Sequence, residues 1–89
     1  MSTSSSSEKL TVEFTVEPFV PASPGPHVLA AQAATEPIAA AGGSIDIGPF
    51  GTSATGDAAT VLASVADALA AAFANGADRV SLQISRDPA

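Results

Sequence analysis

Gly48-Pro49-Phe50-Gly51-Thr52-Ser53-Ala54-Thr55-Gly56-Asp57 is the stretch whose reading decides the fold. The alternating run Ser44-Ile45-Asp46-Ile47 precedes it, and the longest helix-compatible run in the chain follows it. Gly48 and Gly51 admit a close backbone approach that a Cβ would block. Pro49 donates no backbone hydrogen bond, so it marks an edge, a bulge or a bend. The stretch therefore reads as a bent hairpin, with one arm on each side of Pro49-Phe50-Gly51. Phe50 is one of only four aromatic residues, and Thr52, Ser53 and Thr55 hold short polar groups on a stiff extended backbone. These features suit the rim of a small-molecule site. A hairpin corner without a ligand fits the same residues, and from local sequence alone it fits them better.

Working outward, Lys9 to Glu17 alternates strictly, with Leu10, Val12, Phe14 and Val16 on one side and Thr11, Glu13, Thr15 and Glu17 on the other. That period of two predicts a strand with one face on a core. Four prolines and a glycine between Pro18 and Pro26 predict a stiff loop, with Phe19 exposed in it. Pro26 suits the first position of a helix running to about Ala41, with Gly42 or Gly43 as its C-terminal cap. Pro37 removes one intrahelical bond, so a kink or break is expected near Glu36. Val28, Leu29, Ala31 and Ile38 are the expected inward residues of this helix.

Ser44 to Ile47 reads as the second strand, with Ile45 and Ile47 inward. The third strand runs from about Gly51 to Thr55. Asp57 is placed to accept from the free N–H groups that open the second helix. Val61, Leu62, Val65, Leu69 and Phe73 form that helix's expected inward face, and Asn75-Gly76 ends it. Arg79 to Ser85 reads as the fourth strand, with Val80, Leu82 and Ile84 inward. The order strand, helix, strand, strand, helix, strand predicts an α+β, ferredoxin-like βαββαβ domain. Its sheet has four antiparallel strands, with two helices on one face. The domain spans residues 9–86, after a serine-rich tail at 1–8 expected to be disordered, and before a short tail at 87–89.

Composition narrows the function. The chain has 89 residues, and a domain of that size buries only about 60–65% of its unfolded surface. Much of its 46% apolar content is alanine, so the core is expected to be thin and self-association is one way to bury more. Three basic against nine acidic residues give a net charge of −6, which argues against nucleic acid as a partner. The absence of cysteine excludes disulfides and thiolate metal sites. No apolar run reaches the ~18 residues of a membrane span, and the N-terminus lacks the pattern of a secretory signal. A cytoplasmic protein without a membrane partner is the expectation.

The helix-free face of the sheet is the surface to search for chemistry. It should carry Glu13 and Thr15 mid-sheet, with Asp46, Arg79, Ser81, Gln83 and Ser85 around them. A solvated polar face is the plain reading, and a polar floor shared with a ligand or another subunit is the functional one. His27, the sole histidine, lies in the first turn of a helix. A neutral ring that donates or stacks is one reading, and a solvated helix-start residue is the other. No nucleophile motif, metal cluster or phosphate loop is present, so no enzyme activity and no cofactor are expected.

Glu13-Phe14-Thr15-Val16-Glu17-Pro18, then Gly48-Pro49-Phe50-Gly51-Thr52 with Gly56, then Gly76-Ala77-Asp78-Arg79-Val80 leading into Ser81 to Arg86, together resemble the small thiamine-binding proteins with a ferredoxin-like fold. The resemblance implies non-catalytic binding of thiamine or its hydroxymethylpyrimidine moiety, and assembly into a dimer or tetramer. It maps the family's pattern onto Glu13, Thr15, Pro18, Gly51, Thr52, Gly56, Arg79 and Arg86. Thr55 departs from it, because many members have a glutamate there. The expected ligand-binding set is Glu13, Thr15, Phe50, Gly51, Thr52 and His27, with no metal ligand. In that reading Glu13, Thr15 and Thr52 meet the polar edge of the pyrimidine, and Phe50 packs on its ring. The alternatives are a structural oligomerisation module with no small-molecule ligand and a small acylphosphatase-like hydrolase. The hydrolase is disfavoured because no arginine sits in the loop after the first strand.

Overall fold

Alternation along β1 (Lys9–Glu17) sets the two faces of the sheet, because β1 has a neighbour on each side. The computed structural model describes residues 8–18, 24–48 and 51–86. In chain order β1 is followed by α1 (Pro26–Ala33), α2 (Glu36–Ala40), β2 (Ser44–Ile47), β3 (Thr52–Asp57), α3 (Ala58–Ala74) and β4 (Arg79–Arg86). The strands are ordered β2-β3-β1-β4 and every neighbouring pair is antiparallel. Val12 stands opposite Ala54 on β3 and Ile84 on β4, and Phe14 opposite Thr52 and Leu82. Directly opposed residues share a face, so the buried side chains of Val12, Phe14 and Val16 assign one whole face to the helices. This is the α+β ferredoxin-like arrangement.

The expected first helix is two helices. α1 ends at Ala33, and α2 begins at Glu36 with Pro37 in its first turn, where a missing N–H costs nothing. Thr35 is the buried N-cap residue of α2: its carbonyl accepts from the Ile38 N–H at 2.9 Å, while its hydroxyl donates back to the Gln32 carbonyl of α1 at 2.6 Å. The break re-aims the chain so that Ile38 drops onto the sheet at 1% exposure. Two glycines make room for it. A Cβ on Gly43 would lie 2.8 Å from Ile38 Cγ2 and 2.4 Å from the Thr55 carbonyl oxygen, and one on Gly56 would lie 2.9 Å from Ile38 Cγ2.

Helices α2 and α3 both stop in a two-bond turn closed by a glycine of positive φ. The Gly42 and Gly43 N–H groups donate to Ala39 and Ile38, and those of Gly76 and Ala77 to Phe73 and Ala72. Asp57 caps α3 as expected, its carboxylate accepting from the Thr60 N–H at 3.3 Å. Glu8, assigned to the tail, is held in place. Its carbonyl accepts from the Ala58 N–H and its carboxylate pairs with Arg86. Met1 to Ser7, Phe19 and Asp87 to Ala89 lie outside the described residues.

Four expected inward residues face out. Leu29, Ile47, Leu62 and Phe73 are each more than half exposed. The buried stripe of α3 is Val61, Ser64, Val65, Ala68 and Ala72, one helical face made mostly of small side chains. Small residues line the face that α3 turns to α1 and the sheet, and Leu62 and Phe73, each beside a stripe residue, are turned away. On α1, Val28 and Ala31 take the inward face and rotate Leu29 out. Ile47 lies at the hairpin end of an edge strand, away from Gly43 and Gly56 where α2 packs.

Ile38→Ala should cost about 2–5 kcal/mol, because it empties a site enclosed by backbone that cannot collapse. Leu29→Ala should change stability by less than about 1 kcal/mol. Chemical denaturation of the two variants measures the difference.

Candidate functional site

The helix-free face is a lattice of short polar side chains set by register. One row crosses the whole sheet: Asp46 opposes Ser53, Ser53 opposes Glu13, and Glu13 opposes Gln83. The next row pairs Thr15 with Ser81, and beside them the Gly51 backbone approaches β1. A Cβ at Gly51 would sit 3.1 Å from the Phe14 carbonyl oxygen and 3.1 Å from Thr15 Cγ2. On the other side lies the row Ser44, Thr55, Thr11 and Ser85, in which the Thr11 and Thr55 hydroxyls share a hydrogen bond at 2.9 Å.

A trough of about 530 Å³ lies over the first two rows. Its side-chain lining is Glu13, Thr15, Asp46, Ser53, Ser81 and Gln83, and Gly48 and Gly51 keep one end low. Phe14, Thr52 and Leu82 border it through backbone, because their side chains belong to the opposite face. The hairpin closes at this end by a 2.8 Å bond from the Gly48 N–H to the Gly51 carbonyl.

Charge on this face is uneven. Glu13 and Asp46 are exposed and flank Ser53. Lys9 and Arg79 stand at the two ends of the same face, each four residues along from the Glu13 row, which is roughly 13 Å at strand spacing. Arg79 is opposite Glu17, Lys9 is opposite Asp57, and Arg86 is paired with Glu8. The trough therefore presents two carboxylates, three hydroxyls and an amide. That set can accept hydrogen bonds from amino groups and attract a cation. Among the described residues no group of three His, Asp or Glu is arranged to hold a metal ion, and no helix is long and apolar enough to cross a membrane.

The structure brings Glu13, Thr15 and Gly51 together and separates two expected members from them. Thr52 opposes Phe14 and is 4% exposed. Its hydroxyl faces α1 and accepts from Gln32 Nε2 at 3.5 Å, so it does not join the polar row. Ser53 takes that place beside Glu13. Strand alternation puts one of Thr52 and Ser53 on this face, and which one depends on where the hairpin closes. His27 is buried at the start of α1 and its ring reaches back to the loop after β1. Its Nε2 lies 2.5 Å from the Pro18 carbonyl, and since a carbonyl only accepts, the proton is on Nε2. His27 latches α1 to the end of β1, away from the trough. Phe50 lies outside the described residues.

Three solved structures share this fold. A hypothetical protein of Methanocaldococcus jannascii matches with a TM-score of 0.63 and 21% identity, over 91% of this chain and 80% of that one. A DUF77 domain of unknown function from Bacillus cereus matches at 0.55 and 20%, over 94% and 80%. A protein of Streptococcus pneumoniae matches at 0.53 and 18%, over 91% and 87%. At these identities the likeness establishes the fold. No family model and no curated protein matches the chain.

His27→Ala should lower stability by about 1 kcal/mol for the lost hydrogen bond, plus the packing of a buried ring. The amide signals of Glu13, Ser53 and Gln83 in the trough should not move. Thermal melting and an amide correlation spectrum of the same variant check both.

Proposed function

We propose that this protein is a non-catalytic, oligomeric binding protein for thiamine or its hydroxymethylpyrimidine moiety, and that the trough on the helix-free face is its site. The observation that carries the reading is the row Asp46, Ser53, Glu13, Gln83, with Thr15 and Ser81 beside it. An aminopyrimidine presents an amino donor and ring nitrogens along one edge. Glu13 accepts from the amino group, and Ser53, Gln83 and Thr15 each donate or accept beside it. A thiazolium cation is drawn to Asp46 and Glu13, with Lys9 and Arg79 held at the far ends of the face. The trough volume of about 530 Å³ falls within the roughly 300–1,000 Å³ of small-molecule sites. Phe50, between Gly48 and Gly51 in sequence, is assigned the stacking role.

A ligand-free oligomerisation module is the second reading. The observation that favours it is β4, a long edge strand that has no neighbour on its outer side among the described residues. Thermal shift separates the two, because a ligand selective for the native state raises its melting temperature.

Glu13→Gln keeps size and removes charge. By calorimetric titration it should weaken thiamine binding by about 1.5–3 kcal/mol, or roughly ten- to a hundredfold. Ser53→Ala should weaken it by a smaller factor, and Thr52→Val should leave it unchanged. Unaltered affinity in Glu13→Gln would place the site elsewhere.

A further inference from the structure

We infer that the trough admits the free alcohol and turns away its phosphate esters, and that Asp46 is the residue that makes the distinction. This rests on the proposed thiamine-like ligand and adds which end of it lies where. The trough is lined from all four strands, by Asp46 on β2, Ser53 on β3, Glu13 on β1, and Ser81 and Gln83 on β4. Its ligand therefore lies across the strands rather than along them. Glu13 and Asp46 are separated by one strand, roughly 10 Å at strand spacing. With the aminopyrimidine on Glu13, the thiazolium ring one methylene away is drawn over Ser53 toward Asp46, the other carboxylate of the trough. The hydroxyethyl arm leaves the far side of that ring. Its hydroxyl then comes to the edge strand beside Asp46.

Among the described residues nothing at that end neutralises a phosphate. The chain has only three Lys and Arg residues. Lys9 is opposite Asp57 at one end of the face, and Arg79 is opposite Glu17 at the other. Arg86, opposite Leu10, belongs to the helix side of the sheet. Between the trough and Lys9 lies the row Ser44, Thr55, Thr11 and Ser85, which brings hydroxyls and no cation. Helix N-termini are the other common phosphate sites, and here the helices pack on the opposite face. The Gly48 N–H is already donated to the Gly51 carbonyl.

Charge sets the size of the effect. A phosphate ester carries about two negative charges at neutral pH. Two like unit charges about 8 Å apart in water weaken binding by roughly twofold. Two charges against Asp46 and Glu13 make four such pairs, so the ester should bind about tenfold more weakly than the alcohol. The form held is the one whose hydroxyl is still free.

Position 46 is exposed on an edge strand, where lysine is well tolerated. Calorimetric titration compares thiamine, its monophosphate and diphosphate, and hydroxymethylpyrimidine on the unmodified protein, Asp46→Asn and Asp46→Lys, with folding checked by circular dichroism. Thiamine should bind the unmodified protein about tenfold more tightly than its monophosphate, and the gap should shrink in about 0.5 M salt through screening. Asp46→Asn should narrow the gap about fourfold and Asp46→Lys should close it. Asp46→Asn should also weaken thiamine more than hydroxymethylpyrimidine, which carries no thiazolium. Esters that bind the unmodified protein as tightly as thiamine overturn the discrimination and leave the proposed ligand standing. Ester binding that is lost in Arg79→Gln puts the phosphate toward β4 and overturns the orientation. An unchanged gap in Asp46→Lys overturns the role of Asp46. No binding of thiamine or hydroxymethylpyrimidine at all refutes the proposed ligand itself, and this inference with it.

Discussion

The two-residue period of β1 couples the core to the candidate site, because the residues that bury the helix face and those that form the trough floor alternate along one strand. Val12, Phe14 and Val16 are at most 5% exposed, and between them Glu13 and Thr15 must point the other way. β1 then passes this phase to β3 and β4 by register. A slip of one residue would exchange apolar and polar sets across the sheet, so register is held by the same burial that stabilises the fold. The centre of the trough floor is tied to the core for that reason. Glu13, Thr15 and Ser53 sit on β1 and β3, whose other faces are packed, whereas Asp46, Ser81 and Gln83 sit on the edge strands.

Packing here depends on small residues more than on large ones. Ser64, Ala68 and Ala72 line the buried face of α3, which packs on α1 and the sheet, and Gly43 and Gly56 let Ile38 reach the sheet. The same composition explains what could be read from sequence and what could not. β1 and β4 were legible because valine, leucine, isoleucine and phenylalanine alternate with polar residues in them. The α3 start was legible because Asp57 is a strong cap ahead of a long apolar run. Pro37 announced the break between α1 and α2, although not that Ile38 would be delivered into a gap between two glycines. The inward faces of α1 and α3 were legible only in part: Val28, Ala31, Val61 and Val65 are buried as expected, but Leu29, Leu62 and Phe73 are not. Alanine fits either side of a helix, so the large residues Leu29, Leu62 and Phe73 drew the expected stripe away from the true one.

The candidate site divides in the same way. Glu13 and Thr15 follow from the period of β1 alone. Ser53 required the phase of β3, which is fixed where the Gly48 N–H meets the Gly51 carbonyl. Thr52 and Ser53 are adjacent hydroxyls, and only that closure decides which one faces the trough. His27 was ambiguous because a helix-start histidine looks alike whether it meets solvent, a ligand or a loop carbonyl. The Pro18 carbonyl resolves it as a latch.

The central claim is that the helix-free face, at the row running from Asp46 to Gln83, is where a thiamine-like cation binds. Amide chemical-shift mapping of isotope-labelled protein during a thiamine titration tests it most directly. The account predicts saturable shifts concentrated at Glu13, Thr15, Gly51, Ser53, Ser81 and Gln83, with α1 and α3 quiet. Shifts centred on His27, Leu62 or Phe73, or none at millimolar thiamine, would contradict it.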